Sequence, residues 1–107
     1  DGNINEALPL LIESGINCIQ PMEAKAGVDV KNLVKLYGNK IAYMGNIDVT
    51  KMSGDRKLIE DEIKSKVRAV IEAGAGYIYH SDHTVPPHVP FELYEYMIDL
   101  VKKYGKY

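Results

Sequence analysis

The order of apolar and polar segments predicts an α/β fold in which three parallel strands alternate with four helices. Three short apolar runs each end in a polar cluster that gives way to a helical pattern; the runs are 16–19, 41–44 and 77–79. Strand-helix-strand crossovers of this length demand parallel strands with right-handed connections. The strands should therefore be buried on both faces, which agrees with their mostly apolar, non-alternating sequences.

Composition and charge are ordinary for one compact domain of 107 residues. The net charge of -2 gives no basic surface for nucleic acid or for an anionic membrane. No apolar run approaches the ~20 residues that span a bilayer. The single cysteine, Cys18, excludes an internal disulfide and favours a reducing, cytoplasmic compartment. The chain opens on Asp1 in a loop-like pattern, and we expect it to be a piece of a longer polypeptide.

The first helix and the first strand are predicted at the start of the chain. Asn5 is the expected N-cap of a helix that ends near Ser14, because its amide oxygen can accept from an unpaired backbone N–H group. Strand one is expected at 16–20, and Pro21 stops it because proline lacks the N–H that a ladder needs.

The second helix and the second strand follow. Asp29 is expected to cap a helix that Gly38 closes. Strand two is expected at 40–44. The segment 48–56 is then predicted to be a polar loop, with a Gly-Asp turn signal near its end.

The segment 57–73 is the clearest helix in the sequence. Its apolar residues share one face at helical spacing: Ile59, Ile63, Val67, Val70 and Ile71. Two pairs of opposite charge, Glu60 with Lys64 and Glu62 with Lys66, are expected on the exposed side.

The last quarter predicts a third strand, a long loop and a final helix. The strand is expected at 76–80, and the loop 81–90 holds three of the five prolines. Pro90 suits the first position of the last helix, and Gly105 closes it. The buried face of that helix is expected to carry Tyr94, Met97, Ile98 and Val101.

All three histidines lie in the segment 80–88, directly after the third strand. Imidazole titrates near neutral pH, so it can exchange a proton or bind a metal. In extended backbone His80 and Asp82 share a side, whereas the side chains of Asp82 and His83 diverge. Because α/β enzymes place their chemistry at the carboxyl ends of parallel strands, we expect His83 to be catalytic. The alternative is a hydrophilic surface loop with incidental histidines.

Polar clusters also follow the first two strands. Gln20 and Glu23 offer an amide and an acid at the rim that the carboxyl ends of the strands form. Asn46 and Asp48 follow a glycine, which lets a ligand approach the main chain. The substrate-binding side chains are expected to be Gln20, Glu23, Asn46, Asp48 and His80. The alternative for the first cluster is a solvated loop. The alternative for the second cluster is a turn in which Asn and Asp satisfy local backbone groups.

Taken in order, these segments resemble the C-terminal part of the uroporphyrinogen decarboxylase superfamily. Residues 20–27 resemble the loop after the sixth strand, and 45–48 resemble the family's Gly-Asn-Leu/Ile-Asp after the seventh. Residues 76–92 resemble the eighth strand, its loop and the start of the last helix. The resemblance covers nearly the whole chain. It implies a partial TIM (β/α)₈ barrel that holds strands six to eight of its parent.

The resemblance also implies an activity for the full-length parent. It would be a carboxy-lyase that decarboxylates the acetate side chains of a porphyrinogen in tetrapyrrole biosynthesis, without a cofactor, and the fragment alone would be inactive. In true decarboxylases the loop after the eighth strand carries a His in a Gly-His-Gly setting. His83 takes that place here, with Asp82 and Thr84 in place of the glycines.

Two alternatives remain open. The same superfamily includes methyltransferases that act with corrinoid proteins and bind zinc through a His-x-Cys and a later Cys. Asp1 falls where the first cysteine would lie and His83 falls near the second, so these two side chains are the candidate zinc ligands. The other alternative is a non-catalytic domain that forms a dimer or larger homo-oligomer through its exposed sheet edges.

Overall fold

The computed structural model describes residues 2–20 and 22–107 and confirms the α/β class. Three strands form one sheet in the order β1-β2-β3: β1 (Cys18–Ile19), β2 (Ala42–Met44) and β3 (Tyr77–Ile78). Both pairings are parallel, with Ile19 opposite Tyr43 and Tyr43 opposite Tyr77. Asp1 and Pro21, the predicted zinc ligand and the predicted end of strand one, lie outside the described residues.

Four α-helices accompany the strands, as predicted. They are α1 (Leu8–Glu13), α2 (Val30–Tyr37), α3 (Arg56–Glu72) and α4 (Phe91–Tyr104). Short 3₁₀ turns follow the first two strands, at Ala24–Ala26 and Val49–Lys51. The second turn lies inside the segment that the sequence predicted to be an irregular polar loop. In the described part of the chain, no helix combines the length and the apolar character needed to cross a membrane.

Acidic side chains start the two central helices. The carboxylate of Asp29 accepts a hydrogen bond from the backbone N–H of Lys31 at 2.9 Å, which confirms the predicted cap of α2. Asp55 caps α3 in the same way, through the N–H of Lys57 at 2.6 Å. Each cap satisfies an N–H group that has no partner inside the helix.

The starts of the outer helices differ from the sequence prediction. Asn5 does not cap α1, which begins later, after Ala7, with no side-chain cap. The N–H of Asn5 instead donates to the side chain of Asn3 at 2.9 Å, so Asn5 belongs to a preceding turn. Pro90 is the N-cap of α4 and not its first helical residue, because its extended backbone precedes the first helical turn.

The helices cover one face of the sheet. Ile19, Tyr43 and Tyr77 share a face through the strand register and belong to, or pack against, the apolar clusters beneath the helices. The opposite face belongs to neither cluster and carries Cys18, Ala42, Met44 and Ile78. Ile78 is 50% exposed, so the prediction that both faces are buried is wrong for the described chain. A closed barrel would turn this second face inward.

The strands are shorter than predicted. Each strand was expected to have five residues but has only two or three, because strand length depends on hydrogen-bonded neighbours and β1 and β3 are both edge strands.

Met97 and Leu100 are the buried residues of α4, whereas Tyr94 is 37% exposed. The predicted buried face of this helix was therefore only partly correct.

Helix α3 has the apolar face that its sequence predicted. The five predicted apolar residues are all buried: Ile59, Ile63, Val67, Val70 and Ile71. The charged residues of this helix were only partly placed correctly. Glu62 and Lys66 were expected on the exposed side, but both are buried, because they contact main-chain groups of the loop after β2.

The substitution Ile63→Ala should lower the free energy of unfolding by about 2–5 kcal/mol, because Ile63 is fully buried and its truncation leaves a cavity. Leu58→Ala is the matched control on the same helix, since Leu58 is 54% exposed, and it should change stability by less than ~1 kcal/mol. Urea denaturation followed by circular dichroism measures both. Equal effects of the two substitutions would show that the assigned face of α3 is wrong.

Candidate functional site

The loops after the three strands meet at the carboxyl end of the sheet. Ile47, just after β2, forms an isolated parallel bridge with Ser81, after β3. The N–H of Asp82 donates to the carbonyl oxygen of Ile47 at 2.7 Å. The predicted polar segments after β2 and β3 are therefore in direct contact, because the carboxyl ends of neighbouring parallel strands lie at the same edge of the sheet.

Asn46 fastens the loop after β1. Its side-chain oxygen accepts from the N–H of Val30 at 2.8 Å, and its side-chain nitrogen donates to the carbonyl oxygens of Met22 at 2.9 Å and Val28 at 2.7 Å. Asn46 is fully buried and has a φ of 69°, which asparagine tolerates better than most residues. Its amide thus satisfies three main-chain groups that would otherwise be buried without partners.

A buried ion pair on α3 supports the loop after β2. The ammonium group of Lys66 lies 2.7 Å from the carboxylate of Glu62 and also donates to the carbonyl oxygen of Asn46. The Glu62 carboxylate accepts in turn from the N–H of Asp48 at 2.8 Å, and Lys51 approaches it to 3.3 Å. Every charge in this group therefore has a partner, as burial requires.

Asp82 connects all three loops. It is 1% exposed, and its carboxylate accepts from the N–H of Ala24, after β1, and from the N–H of Val49, after β2, each at 2.9 Å. Its own N–H bonds to Ile47. One side chain in the third loop thus holds the first two loops in position.

Glu23 is a buried acid at the edge of this network. The N–H of Gly2 donates to its carboxylate at 2.6 Å, and Lys25 lies 3.6 Å away. The Gly2 hydrogen bond is the main cause that lowers the pKa of Glu23, with contributions from Lys25 and His83, while desolvation opposes them. Glu23 is therefore ionised at neutral pH, and its carboxylate interacts electrostatically with His83.

The two histidines of the rim have different hydrogen-bonding patterns. Nδ1 of His83 accepts from the N–H of Thr84 at 2.9 Å, so the proton of the neutral ring is assigned to Nε2. Nδ1 of His80 faces the carbonyl oxygen of Ser81, which can only accept, so Nδ1 carries the proton and Nε2 has the lone pair. In these tautomers Nε2 of His83 carries a hydrogen, whereas Nε2 of His80 carries the lone pair.

Both histidines line a cleft of about 330 Å³ beside the start of α4. The lining residues are Tyr79, His80, Ser81, His83, Thr84, Val85 and Tyr94. The hydroxyl of Tyr79 is buried and has no hydrogen-bond partner among the described residues. Burial is the main cause that raises the pKa of Tyr79 to about 12, so it is a neutral donor.

The predicted site residues therefore divide into two groups. Gln20, His80 and His83 are exposed, and the two histidines share the cleft. Asn46 and Asp48 hold main-chain groups; the carboxylate of Asp48 accepts from the N–H and the hydroxyl of Thr50. Substrate contact by these residues and by Glu23 stays a prediction.

Sequence reasoning missed the roles of Asp82, Glu62, Lys66 and Tyr79. The available signal for the first was an acidic residue at position 82, where the resemblance implies a glycine. No local signal identifies the others, because their surroundings come from distant segments. Among the described residues, no group of three His, Cys, Asp or Glu side chains could hold a metal ion, and Cys18 is unpaired and half-buried. The zinc prediction involving His83 and Asp1 therefore has no support from these residues.

The fold and the rim define a segment of a (β/α)₈ barrel whose polar side chains gather at the carboxyl ends of the strands. The sequence matches the family model for uroporphyrinogen decarboxylase (URO-D) over residues 1–104. The chain belongs to the uroporphyrinogen decarboxylase family.

Curated relatives are similar over most of this chain. The uroporphyrinogen decarboxylase of Vesicomyosocius okutanii is 33% identical over 86 residues, which cover 75% of this chain and 25% of that protein. The uroporphyrinogen decarboxylase of Pseudoalteromonas atlantica is 30% identical over 78 residues, which cover 73% and 22% of the two chains. The chain thus spans about a quarter of the length of these relatives.

The substitution Lys66→Met should lower the free energy of unfolding by about 3–5 kcal/mol, because it leaves the Glu62 carboxylate buried without its closest cation. Lys64→Met is the matched control, since Lys64 is exposed and lies two residues away on the same helix, and it should cost less than ~1 kcal/mol. Chemical denaturation compares the two. A cost for Lys66→Met as small as that of the control would contradict the buried ion pair.

The substitution Asn46→Ala should destabilise the protein by at least about 2 kcal/mol, since three main-chain groups lose their partner. Asn46→Gly removes the same amide but tolerates the positive φ, so it should be the less harmful change by ~1 kcal/mol. Thermal melting of both variants tests this order. A stability equal to that of the unsubstituted protein in either variant would rule out the fastening role.

Proposed function

We propose that the full-length parent of this chain is a carboxy-lyase that removes CO₂ from the acetate side chains of a porphyrinogen. Family membership supports this reaction class, and the cleft beside His83 supports a site at this part of the rim. Because the chain spans about a quarter of its relatives, we expect turnover only from a protein that contains the rest of the barrel.

The reaction needs a sink for the electrons of the bond that breaks. Protonation of the pyrrole ring supplies it: the bond between the methylene carbon and the carboxylate breaks, CO₂ leaves, and the electron pair moves into the ring. The methylene carbon then takes up a proton and the ring loses one, which leaves a methyl group. The protein has to place a proton and stabilise the charged ring, and neither step requires an organic cofactor.

We assign His83 the catalytic role and His80 an accompanying one. The N–H of Thr84 occupies Nδ1 of His83, so His83 acts as a hydrogen-bond donor from Nε2 toward the reacting group. Nε2 of His80 can be protonated while Nδ1 keeps its bond to Ser81, which suits it to carry the proton. General acid–base catalysis by imidazole groups is the chemistry that this assignment asks of the two side chains.

The remaining predicted residues fit different parts of the substrate. Glu23 is ionised and lies near His83, so its carboxylate suits the pyrrole N–H groups better than the negatively charged side chains. Gln20 is exposed at the end of β1 and can donate its amide to a propionate. Asn46 contributes by holding the loop after β1 in place, and Asp48 contributes by binding Thr50 within the loop after β2.

In the full-length parent, His83→Ala should lower the rate of CO₂ release from a porphyrinogen by at least about tenfold with the fold retained, because a positioned donor is lost. His83→Gln should retain more activity, since its amide restores an N–H donor. His88→Ala is the matched control in the same exposed loop and should have the unsubstituted rate.

Three outcomes would count against these assignments. Equal rates for His83→Ala and His88→Ala would remove His83 from the mechanism. A loss in His83→Gln as large as that in His83→Ala would argue against the donor role. A correctly folded parent that releases no CO₂ from any porphyrinogen would rule out the proposed reaction.

A further inference from the structure

We propose that Asp82 is a positioning residue, whose buried carboxylate sets the geometry of the candidate site by joining the loops after β1 and β2 to the loop that carries His83. The inference rests on the proposed function only for its kinetic test. Its structural basis is the set of contacts that Asp82 makes in the described part of the chain.

Each oxygen of the Asp82 carboxylate receives one main-chain N–H group. Oδ2 accepts from Ala24 and Oδ1 accepts from Val49, both at 2.9 Å. These partners lie 58 and 33 residues away in the sequence, so one side chain closes two long stretches of chain. With 1% of its surface exposed and both oxygens in use, the carboxylate has no route to a substrate.

The two donors are equivalent positions in two similar turns. Ala24 begins the 3₁₀ turn after β1, and Val49 begins the 3₁₀ turn after β2. The first N–H groups of such turns have no partner inside the turn and carry a partial positive charge. A single carboxylate between the two turns therefore satisfies both, and among the described residues no lysine or arginine forms an ion pair with Asp82.

Each contact of Asp82 is one residue away from a predicted site residue. Glu23 precedes Ala24, Asp48 precedes Val49, and His83 follows Asp82. A shift at either hydrogen bond would move the adjacent acid relative to the histidine.

The His83 ring is in turn tied to this anchored segment. The Ser81 hydroxyl donates to the His83 carbonyl oxygen, and the N–H of Thr84 donates to the ring itself. Displacements of the order of 1 Å between reacting groups cost ~100-fold in rate, so this fastening bears directly on turnover.

The chemistry of the contact requires a carboxylate. An asparagine at this position has one acceptor oxygen and an NH₂ group, whose hydrogens would face one of the two N–H donors. Asp82→Asn therefore keeps the shape of the side chain while replacing one attraction by a repulsion. It breaks one loop connection and spares the apolar packing.

The first experiment compares Asp82→Asn with the unsubstituted full-length parent, and Asp99→Asn, at an exposed site on α4, is the matched control. Under conditions where all three are folded, we expect kcat to fall by at least about tenfold in Asp82→Asn, with KM changed less, and the control to be unaffected. Loss of thermal stability in Asp82→Asn with unchanged kcat and KM would overturn the proposal, since Asp82 would then stabilise the fold without positioning the site.

A second variant tests the same contact from the other side. Ala24→Pro removes one N–H donor but leaves Asp82 and His83 in place, and Glu23 already has the extended backbone that a following proline requires. It should lower kcat in the same direction as Asp82→Asn but less strongly. Full activity in a folded Ala24→Pro protein would overturn the role of this hydrogen bond, even if Asp82→Asn failed to fold.

Amide hydrogen exchange separates this inference from the proposed reaction. In Asp82→Asn, the protection of the Ala24 or Val49 amide should fall by about tenfold or more, while the amides of α3 keep theirs. This result with no decarboxylation by the unsubstituted parent would mean that the proposed function is wrong and the loop connection is right. Unchanged protection at both amides would overturn the loop connection, whatever the parent catalyses.

Discussion

The rest of this structure depends on one constraint: the buried main-chain groups around Asn46 need hydrogen-bond partners. The loop leaves the sheet through a positive φ at Asn46, and this conformation directs main-chain groups into the interior. The Asn46 amide binds the loop after β1, while Lys66 binds the Asn46 carbonyl oxygen from α3. A helix and two loops from different parts of the chain are thereby held to one residue.

Most polar side chains at the carboxyl end of the sheet satisfy the protein itself. Buried N–H and C=O groups in irregular loops have no ladder to join, so Asn46, Glu62 and Asp82 supply their partners. Of the predicted site residues that the structure describes, Gln20, His80 and His83 are exposed and can contact a ligand. The rim therefore has a buried layer that holds the loops and an outer layer that can contact a ligand, and the second depends on the first.

The sequence was sufficient for features that depend on local pattern. Apolar spacing placed α3, and Asp29 marked the start of α2, because periodicity and capping act over a few residues. The burial of Glu62 and Lys66 could not be predicted, since an i,i+4 pair is ordinarily solvated and its partners here come from a distant loop. For the candidate site, the position of His83 after the third strand predicted that it lies at the rim, where it lines the cleft, while its catalytic role stays a prediction. Nothing local showed that Asn46 is enclosed.

If the ligand is the proposed tetrapyrrole, the groups around the cleft favour one part of it over another. The cleft is lined by the imidazoles of His80 and His83 and by the neutral Tyr79, and the nearby Glu23 is an ionised acid. In the proposed reaction, Glu23 would repel an anionic side chain, whereas it would stabilise a pyrrole ring that gains positive charge. Under this proposal, the part of the rim near Glu23 suits the reacting ring better than the acid groups at the edge of the substrate.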